Sequence, residues 1–338
     1  MKALVIKQPH VIECSDVPEP RAGREEVLIK VKAAGICGTD MHIFHGKHGA
    51  VTYPRIAGHE LVGEVISIGD GVDNVKVGNH VAVDPVVSCG QCPMCKRGRD
   101  NICHQVKCLG VQTEGGFAEY IAIHKDRIYP FSSEVPWEVA VLVEPFSVAA
   151  QIAARLRIES TDKVLIVGGG TIGLALMQVV QGVYNGEAVI ADITQQKLNL
   201  ARDMGAKSVI DANEGDIVSQ AMEIWNNFGP TVIIEAVGNS ALLNSLINTA
   251  PPGSRIGVIG FMSDPINILP VDITKRELEI IGSRMNEKKF ALVLKWFEEG
   301  KVDGRKLITH KFMFSQVQEA FYTIEKFPEE VCKVILEF

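Results

Sequence analysis

The sequence predicts an α/β protein in which a doubly wound parallel sheet is inserted into a β-rich domain, and three observations indicate this arrangement. Residues 1–145 form short β-branched runs between Gly, Pro and Asn turns, as in "EVLIKVKAAG" and "GNHVAVDPVV", which is typical of an antiparallel sheet or barrel. From about residue 160, short apolar strands alternate with helical segments, a pattern typical of a parallel sheet. After residue 284 the chain ends on the strand "CKVILEF", which is predicted to rejoin the first domain.

The predicted boundaries are 1–146 with 285–338 for the β-rich domain, and 147–284 for the inserted domain. A length of 338 residues suits two domains at roughly 150 residues each. The strands predicted in the insertion are "DKVLIV", "EAVIADI", "SVID", "TVIIEAVG", "SRIGVIGF" and "LEIIGSR". The helices predicted between them include "TQQKLNLARDMGA", "DIVSQAMEIWNNFG" and "SALLNSLINTA", since their apolar residues recur with helical spacing.

Composition excludes several classes of function. A formal net charge of -7 provides no basic stripe for neutralising phosphates, so no nucleic-acid partner is expected. No apolar run approaches the ~20 residues of a membrane span, and the start "MKALVIKQPHVIEC" lacks the features of a signal peptide. The protein is therefore expected to be cytoplasmic, where clustered cysteines bind metals more often than they form disulfides.

A dinucleotide site is predicted at the turn that follows the first strand of the insertion. "GGGTIG" places Gly168, Gly170 and Gly173 in G-x-G-x-x-G spacing between a strand and a helix, which is the context that gives this pattern meaning. Asp192 ends the next strand, where a carboxylate accepts hydrogen bonds from ribose hydroxyls and repels a 2′-phosphate, so NAD is favoured over NADP. The alternatives are a packing turn and a helix cap. The residues predicted to contact the cofactor are Gly168, Gly170, Thr171, Ile172, Gly173, Asp192, Lys197, Val237 and Gly260.

A structural metal site is predicted in "CGQCPMCKRGRDNIC". Cys89, Cys92, Cys95 and Cys103 can supply four thiolates, which suits a closed tetrahedral zinc with no position left for substrate. An iron–sulfur cluster is the alternative, because it also uses four cysteines. Cys108 is a possible substitute for the fourth ligand.

A second set of metal-type residues is dispersed through the first domain. Cysteine, histidine and carboxylate, with one position open, form the donor set of a catalytic zinc, although each residue is a weak signal by itself. The set consists of Cys37, Thr39, Asp40 and His42 in "GICGTDMH", and His59 and Glu60 in "GHELVGEV".

These motifs, together with "EGGFAEY" and "VEPFSVA", occur in the order and at the spacings of the zinc-containing medium-chain alcohol dehydrogenases, which the whole chain resembles. The resemblance implies a GroES-like catalytic domain around an inserted Rossmann domain. It is greatest to the polyol and threonine dehydrogenase branch, which implies catalytic zinc ligands Cys37, His59 and Glu144, with Glu60 beside the metal. Glu144 stands where the liver-type enzymes have a cysteine.

The resemblance also implies roles for further side chains. Thr39 and His42 match proton-relay positions, and Asp40 would hydrogen-bond the non-metal nitrogen of His59. Arg284 would bind a substrate carboxylate or hydroxyl pair, or would instead only support Glu144. Phe117 would line the pocket.

Longer stretches of the sequence, such as "AVDPVVSCGQCPMC" and "KLITHKF", resemble a narrower group, the bacterial hexonate dehydrogenases. The resemblance implies NAD-dependent oxidation of L-gulonate to D-fructuronate, with NAD and two zinc ions per chain, in a homotetramer or homodimer. The alternatives are L-galactonate or L-idonate 5-dehydrogenase, a sorbitol-type polyol dehydrogenase and L-threonine 3-dehydrogenase. A zinc-free quinone-reductase-like enzyme and a non-catalytic NAD-binding regulator are further alternatives.

Overall fold

The computed structural model describes residues 1–338, which form two compact units. The first unit contains residues 1–144, 286–299 and 308–338, and the second contains residues 145–285 and 300–307. Each unit has its own hydrophobic core. The chain therefore leaves the first unit twice, for residues 145–285 and for the short segment 300–307.

Eighteen strands and eleven α-helices are numbered in chain order. The strands are β1 Lys2–Gln8, β2 Val11–Asp16, β3 Glu26–Ile36, β4 Arg55–Ile56, β5 Glu60–Ile68, β6 His80–Val83, β7 Val86–Val87, β8 Lys107–Cys108, β9 Tyr120–His124, β10 Ile128–Phe131, β11 Lys163–Val167, β12 Glu187–Asp192, β13 Ser208–Asp211, β14 Val232–Glu235, β15 Arg255–Val258, β16 Glu279–Gly282, β17 Ile308–Met313 and β18 Lys333–Glu337. The helices are α1 Gly38–Phe44, α2 Pro93–Lys96, α3 Trp137–Ala140, α4 Val143–Arg155, α5 Thr171–Gly182, α6 Gln195–Asp203, α7 Ile217–Ile224, α8 Ser240–Thr249, α9 Pro270–Arg276, α10 Phe290–Glu298 and α11 Val317–Lys326.

The first unit is organised around the long strand β3. Most of its eleven residues are buried, and it pairs antiparallel with β5, β9 and β18 in a seven-stranded sheet. The path through this sheet is β10-β6-β5-β3-β18-β17, so the last strand of the chain lies directly beside β3. A three-stranded sheet, β2-β1-β4, and the β7-β8 pair complete the unit. The predicted return of the C-terminal strand to the first domain is thus explained by its pairing with β3.

The second unit is built on a six-stranded parallel sheet in the order β13-β12-β11-β14-β15-β16. The central strands β11 and β14 are short, mostly apolar and almost fully buried, as expected where both faces of a parallel sheet are covered. The strand order reverses at β11, between β12 and β14, and ligands bind at the carboxyl ends of strands at such a reversal. Both the glycine turn after β11 and the end of β12 lie there.

Residues 300–307 differ from the predicted boundaries, which assign them to the first domain. The side chain of Gln178 on α5 bonds both the backbone N–H and the backbone C=O of Asp303, at 2.6 and 2.7 Å. A Cβ on Gly182 would lie 2.0 Å from the carbonyl oxygen of Lys301, so this segment packs directly on the end of α5. Local contacts with a helix therefore place the segment in the second unit, and no sequence pattern indicates them.

The stretch Trp137–Arg155, which contains α3 and α4, is long and apolar enough to cross a membrane, but 78% of its 18-residue window is buried inside the protein. Its apolar side chains contact the rest of the fold, as those of a core helix do.

Candidate functional site: a buried metal centre and a dinucleotide cleft

The metal centre begins where β3 ends. Cys37 follows the last residue of β3 and precedes α1, so the strand fixes the position of its thiol. The backbone N–H of Cys37 donates to Asp40 Oδ2 at 2.8 Å, while Asp40 Oδ1 accepts from the N–H of Gly58 at 3.1 Å. The fully buried Asp40 carboxylate thereby ties the start of α1 to the turn that precedes His59.

His59 is buried beside this carboxylate. Its Nδ1 lies 3.7 Å from Asp40 Oδ1, which is an ion-pair distance and too long for the hydrogen bond that the family resemblance implies. Nδ1 has no hydrogen-bond partner in the protein. Burial alone would lower the pKa of His59, but the Asp40 carboxylate and Cys37 outweigh burial and raise it well above its ordinary value. A buried ring nitrogen without a partner indicates a polar site, not a packed core.

The next residue, Glu60, forms a buried ion pair with Lys333. Nζ of Lys333 donates to both carboxylate oxygens of Glu60, at 2.7 and 2.8 Å, and to the carbonyl oxygen of Ile36 at 3.3 Å. Glu60 is the first residue of β5 and Lys333 the first of β18, and both strands pair with β3. The pair therefore joins the two neighbours of β3 at the edge where the metal-type residues lie.

The ion pair requires glycine at position 35. Gly35 is the residue of β3 opposite Glu60, and a Cβ there would lie 2.0 Å from Glu60 Oε2. The missing side chain lets the glutamate reach across β3 to the lysine. Burial by itself would lower the pKa of Lys333, but Glu60 and then Cys37 keep it above the ordinary value, so the ammonium stays charged.

Glu144 lies in the first turn of α4 and is buried. Burial, together with the Glu60 carboxylate, raises its pKa to about 7 against the opposing effect of His59. The charges of His59 and Glu144 also act on the Cys108 thiol, whose pKa burial raises to about 12. Cys108 is thus a neighbour of the metal centre and is not part of the four-cysteine cluster.

The residues of this centre fit a catalytic zinc. Ligand atoms of Cys37, His59 and Glu60 lie within 4.8 Å of one another, and Glu144 is near this set without belonging to it. One thiolate, one imidazole and a carboxylate are the donors that such a zinc uses, with a remaining position for substrate. The sequence predicted Cys37, His59, Glu60 and Glu144 here, and their roles as ligands stay a prediction.

The side chains predicted to serve the reaction occupy different environments. Thr39 Oγ1 lies 4.0 Å from Cys37 Sγ, and His42 is exposed one helical turn further along α1. Arg284 is exposed and follows the end of β16. Phe117 is completely buried against Gly58, so the prediction that it lines a substrate pocket is wrong; it supports the turn before His59.

The four-cysteine cluster has the dimensions of a tetrahedral zinc site. All four sulfur atoms lie within 4.8 Å of one another; Cys89 and Cys95 are 4.0 Å apart, and Cys92 and Cys95 are 3.5 Å apart. Zinc–sulfur bonds of about 2.3 Å in a tetrahedron give sulfur–sulfur separations of about 3.8 Å. The backbone N–H groups of Cys95 and His104 lower the pKa of Cys92 to about 6, which favours the thiolate that zinc binds.

Cys103 completes this cluster in preference to Cys108. Cys103 Sγ accepts hydrogen bonds from the backbone N–H groups of Cys89 and Gln105, at 3.4 and 3.3 Å. Ion pairs from Arg99 to Glu287 and from Lys288 to Asp100 attach the surrounding lobe to the segment that returns to the first unit. A zinc ion held by these four thiolates would have no coordination position left for substrate.

In the second unit the glycine turn forms an open cradle. Gly168 has a φ of +115°, and a Cβ on Gly173 would lie 1.9 Å from the carbonyl oxygen of Gly168, so both positions require glycine. A Cβ on Gly170 would meet nothing within 4 Å, which leaves space in front of the first turn of α5. Thr171 and Ile172 form this first turn, and backbone N–H groups at a helix N-terminus bind phosphates.

Asp192 is fixed at the edge of this cradle. Its Oδ2 accepts the N–H of Gly169 at 2.7 Å, and its Oδ1 accepts that of Thr194 at 2.8 Å. Each oxygen keeps a second lone pair for a ribose hydroxyl. A Cβ on Gly169 would lie 3.2 Å from Cβ of Lys197, so this half-buried lysine borders the same turn.

A second carboxylate shapes the opposite side of the cleft. Glu235, at the end of β14, is fully buried, and its Oε1 accepts the N–H groups of Val237 and Gly238 at 2.9 and 2.6 Å. The exposed Val237 lies 3.1 Å from the Cβ position of Gly168, and Gly260 approaches Gly238 closely. The predicted cofactor residues thus gather around the carboxyl ends of β11, β12 and β14.

Sequence reasoning missed Lys333 and Glu235. Each is a charged residue in an apolar strand, "CKVILEF" and "TVIIEAVG", and a buried charge needs a partner. That pattern could have identified both residues, but their partners lie on other strands or loops.

Comparisons with known proteins identify the family of the chain. Residues 23–133 match the alcohol dehydrogenase GroES-like domain, and residues 171–299 match the zinc-binding dehydrogenase family.

The chain is similar to proteins of known sequence over nearly its whole length. It is 39% identical to the starvation-sensing protein RspB of Escherichia coli K12 over 100% of this chain and 99% of the relative. It is 33% identical to sorbitol dehydrogenase of Bacillus subtilis (99% and 97% covered) and 31% identical to L-galactonate-5-dehydrogenase of E. coli K12 (95% and 94%). A crystal structure of RspB from E. coli CFT073, complexed with NADH, superposes with a TM-score of 0.95 at 37% identity, over 100% and 99% of the two chains.

The buried ion pair can be tested by double substitution. Lys333→Met leaves the Glu60 charge buried without compensation, so it should lower the free energy of unfolding by about 3–5 kcal/mol. Lys333→Met with Glu60→Gln should recover most of that loss. Lys311→Met is the control, because the Lys311–Glu138 pair is partly exposed and should contribute under about 1 kcal/mol. Urea unfolding measures all three, and equal losses for Lys333→Met and Lys311→Met would contradict the assignment.

The role of Asp192 can be tested with two substitutions. Asp192→Ala should reduce the preference for NAD over NADP in kcat/KM at least tenfold, because the charge that repels a 2′-phosphate is removed. Asp192→Asn keeps an acceptor for the backbone N–H groups but also removes the charge, so it should relax the preference while perturbing the turn less. If neither variant changed the preference for NAD over NADP, another residue would determine the choice of cofactor.

The four-cysteine site can be tested by zinc content. Cys95→Ser should remove about one zinc per chain and lower the unfolding midpoint, because the cluster contributes folding energy. Affinity for NAD should be unchanged. Cys14→Ser, at an exposed thiol outside both clusters, is the control. Full zinc content in Cys95→Ser would exclude this ligand set.

Proposed function

The chain belongs to the zinc-binding medium-chain alcohol dehydrogenases and is an NAD-dependent dehydrogenase of the polyol and sugar type, and from this premise we propose that it oxidises a secondary alcohol of a sugar acid, with L-gulonate as substrate and D-fructuronate as product. The observation that carries the proposal is the set of half-buried Cys37 and buried His59 and Glu60, with Glu144 beside it. A regulator that only binds NAD would not need this set.

Each residue of the metal centre has a separate proposed role in the reaction. Cys37, His59 and Glu144 would hold the catalytic zinc, and Lys333 holds the Glu60 carboxylate beside this set. When bound, zinc supplies Lewis acidity toward the substrate hydroxyl, and NAD supplies the hydride acceptor. Asp40 orients His59 and the start of α1 through its bonds to two backbone N–H groups.

Thr39 and His42 are proposed to carry the hydroxyl proton outward. They are one turn apart on α1: Thr39 lies near Cys37, and His42 is exposed to water. The exposed imidazole of His42 is the group that would pass the proton to water.

The choice of a hexonate is supported by the resemblance to hexonate dehydrogenases and by the similarity to L-galactonate-5-dehydrogenase. Arg284 is the proposed partner of the substrate carboxylate, because a guanidinium binds a carboxylate through two hydrogen bonds. L-galactonate, L-idonate, sorbitol and L-threonine are the competing substrates, and sorbitol dehydrogenase is among the relatives. A homotetramer or homodimer and a cytoplasmic location stay predictions.

A substrate screen tests the proposal. The zinc-loaded protein is incubated with NAD and each of L-gulonate, L-galactonate, L-idonate, sorbitol and L-threonine, and NADH absorbance is recorded. We expect the highest kcat/KM with L-gulonate, at least tenfold above sorbitol and L-threonine. A preference for sorbitol or L-threonine would overturn the sugar-acid assignment, and NAD binding without any turnover would favour a regulator.

Glu144→Ala tests the proposed role of Glu144 as a ligand of the catalytic zinc. It should abolish turnover, because a metal ligand is lost, while the Kd for NAD changes less than about twofold. A large loss of cofactor affinity would contradict this separation of the metal centre from the cofactor cleft.

A further inference from the structure

A third set of metal-type side chains lies outside both predicted zinc sites. His10, His45 and Glu325 bring two imidazoles and a carboxylate within 4.8 Å of one another. They come from the β1–β2 turn, the C-terminal end of α1 and the last turn of α11. The dehydrogenase reaction uses none of them, and no motif in the sequence joins them.

The protein backbone presents these side chains in a fixed arrangement. His10 has a φ of +63°, uncommon for a residue with a side chain, and its N–H donates to the carbonyl oxygen of Phe44 at 2.7 Å. The rings of His10 and His45 meet edge to face, with centroids 5.1 Å apart. The buried rings of Phe44 and Phe321 pack beneath them, with centroids 5.2 Å apart. The turn, α1 and α11 are therefore anchored to one core cluster.

The spacing suits a tetrahedral cation. Nε2 of His45 lies 3.3 Å from Oε1 of Glu325. Two ligands at about 2.0–2.1 Å from a tetrahedral zinc are separated by about 3.3 Å, so this pair already has the required distance. His10 and Glu325 are exposed, so rotation of their side chains can bring the third ligand into range. An ion pair would account for His45 and Glu325, but not for His10 beside them.

Space for a fourth ligand is available next to the cluster. His10, Phe44, Phe321 and Glu325 border a cavity of about 310 Å³, open to solvent. A water molecule or a small anion can enter it and complete the coordination. Two histidines and one carboxylate with an open position form a donor set that zinc and neighbouring first-row divalent cations bind.

We propose that His10, His45 and Glu325 bind one Zn²⁺ ion per chain, separately from the two zinc ions of the dehydrogenase. Bound zinc cross-links the β1–β2 turn, the end of α1 and α11. Because two of the ligands are exposed and a solvent-open position remains, this site is weaker than the four-cysteine site and fills only when zinc is added.

Calorimetric titration with Zn²⁺ tests the proposal. The full-length zinc-loaded protein is dialysed until only tightly bound zinc remains, and then titrated with Zn²⁺. We expect it to bind one more equivalent than His45→Ala and Glu325→Gln, measured identically. Taking the difference between variants makes the result independent of how many zinc ions the other sites hold. His124→Ala is the matched control, because His124 lies 3.5 Å from Asp126 without a third ligand, and it should keep the extra equivalent. Equal stoichiometry in the original protein and His45→Ala, or loss of the equivalent in His124→Ala, would overturn the proposal.

A second titration with Co²⁺ identifies the donors of the added ion. The extra cobalt should show the weak visible bands of a nitrogen and oxygen site, and both ligand variants should lack them. An intense thiolate charge-transfer band from the added equivalent would place it on cysteines and exclude the His10 site.

Discussion

The buried ion pair between Glu60 and Lys333 is the interaction on which the metal centre depends. It joins the first residues of β5 and β18 across Gly35 of β3, and Cys37 follows that same strand. Two charges removed from water are tolerated because each lysine–carboxylate contact is short and Lys333 also bonds the carbonyl oxygen of Ile36. The pair fixes the carboxylate next to His59 and links the C-terminal strand of the chain to the site.

Carboxylates that accept backbone N–H groups shape both the metal centre and the dinucleotide cleft. Asp192 and Glu235 end their strands and Asp40 lies in the first turn of α1, and each accepts hydrogen bonds from backbone N–H groups of neighbouring turns. A carboxylate that receives such bonds is held in one orientation, and so is the loop that donates them. The positions of the loops around both sites are thus set by side chain–backbone bonds, which explains why acidic residues end otherwise apolar strands.

Much of the fold and of the site could be predicted because the signals are local. The four cysteines, the glycine turn and the alternation of strand and helix each occupy one short stretch of sequence. Glu144 was predicted only from the family resemblance, and the burial of Phe117 reversed its predicted role. Lys333 was missed because its partner lies 273 residues away. Residues 300–307 were assigned to the wrong unit because α5, which they contact, is far from them in sequence.

By itself, the sequence determined the two-domain organisation, the enzyme family, the four-thiolate ligand set and the glycine turn with its acidic strand end. These depend on residue type and on spacing within one segment, which the covalent chain fixes. Tertiary structure alone decided which distant side chains meet: Glu60 with Lys333, and His10 and His45 with Glu325. Strand register sets the Glu60–Lys333 contact, because a single residue of slip would turn either side chain to the opposite face of its strand, whereas the packing of α1 and α11 on the core brings His45 and Glu325 together.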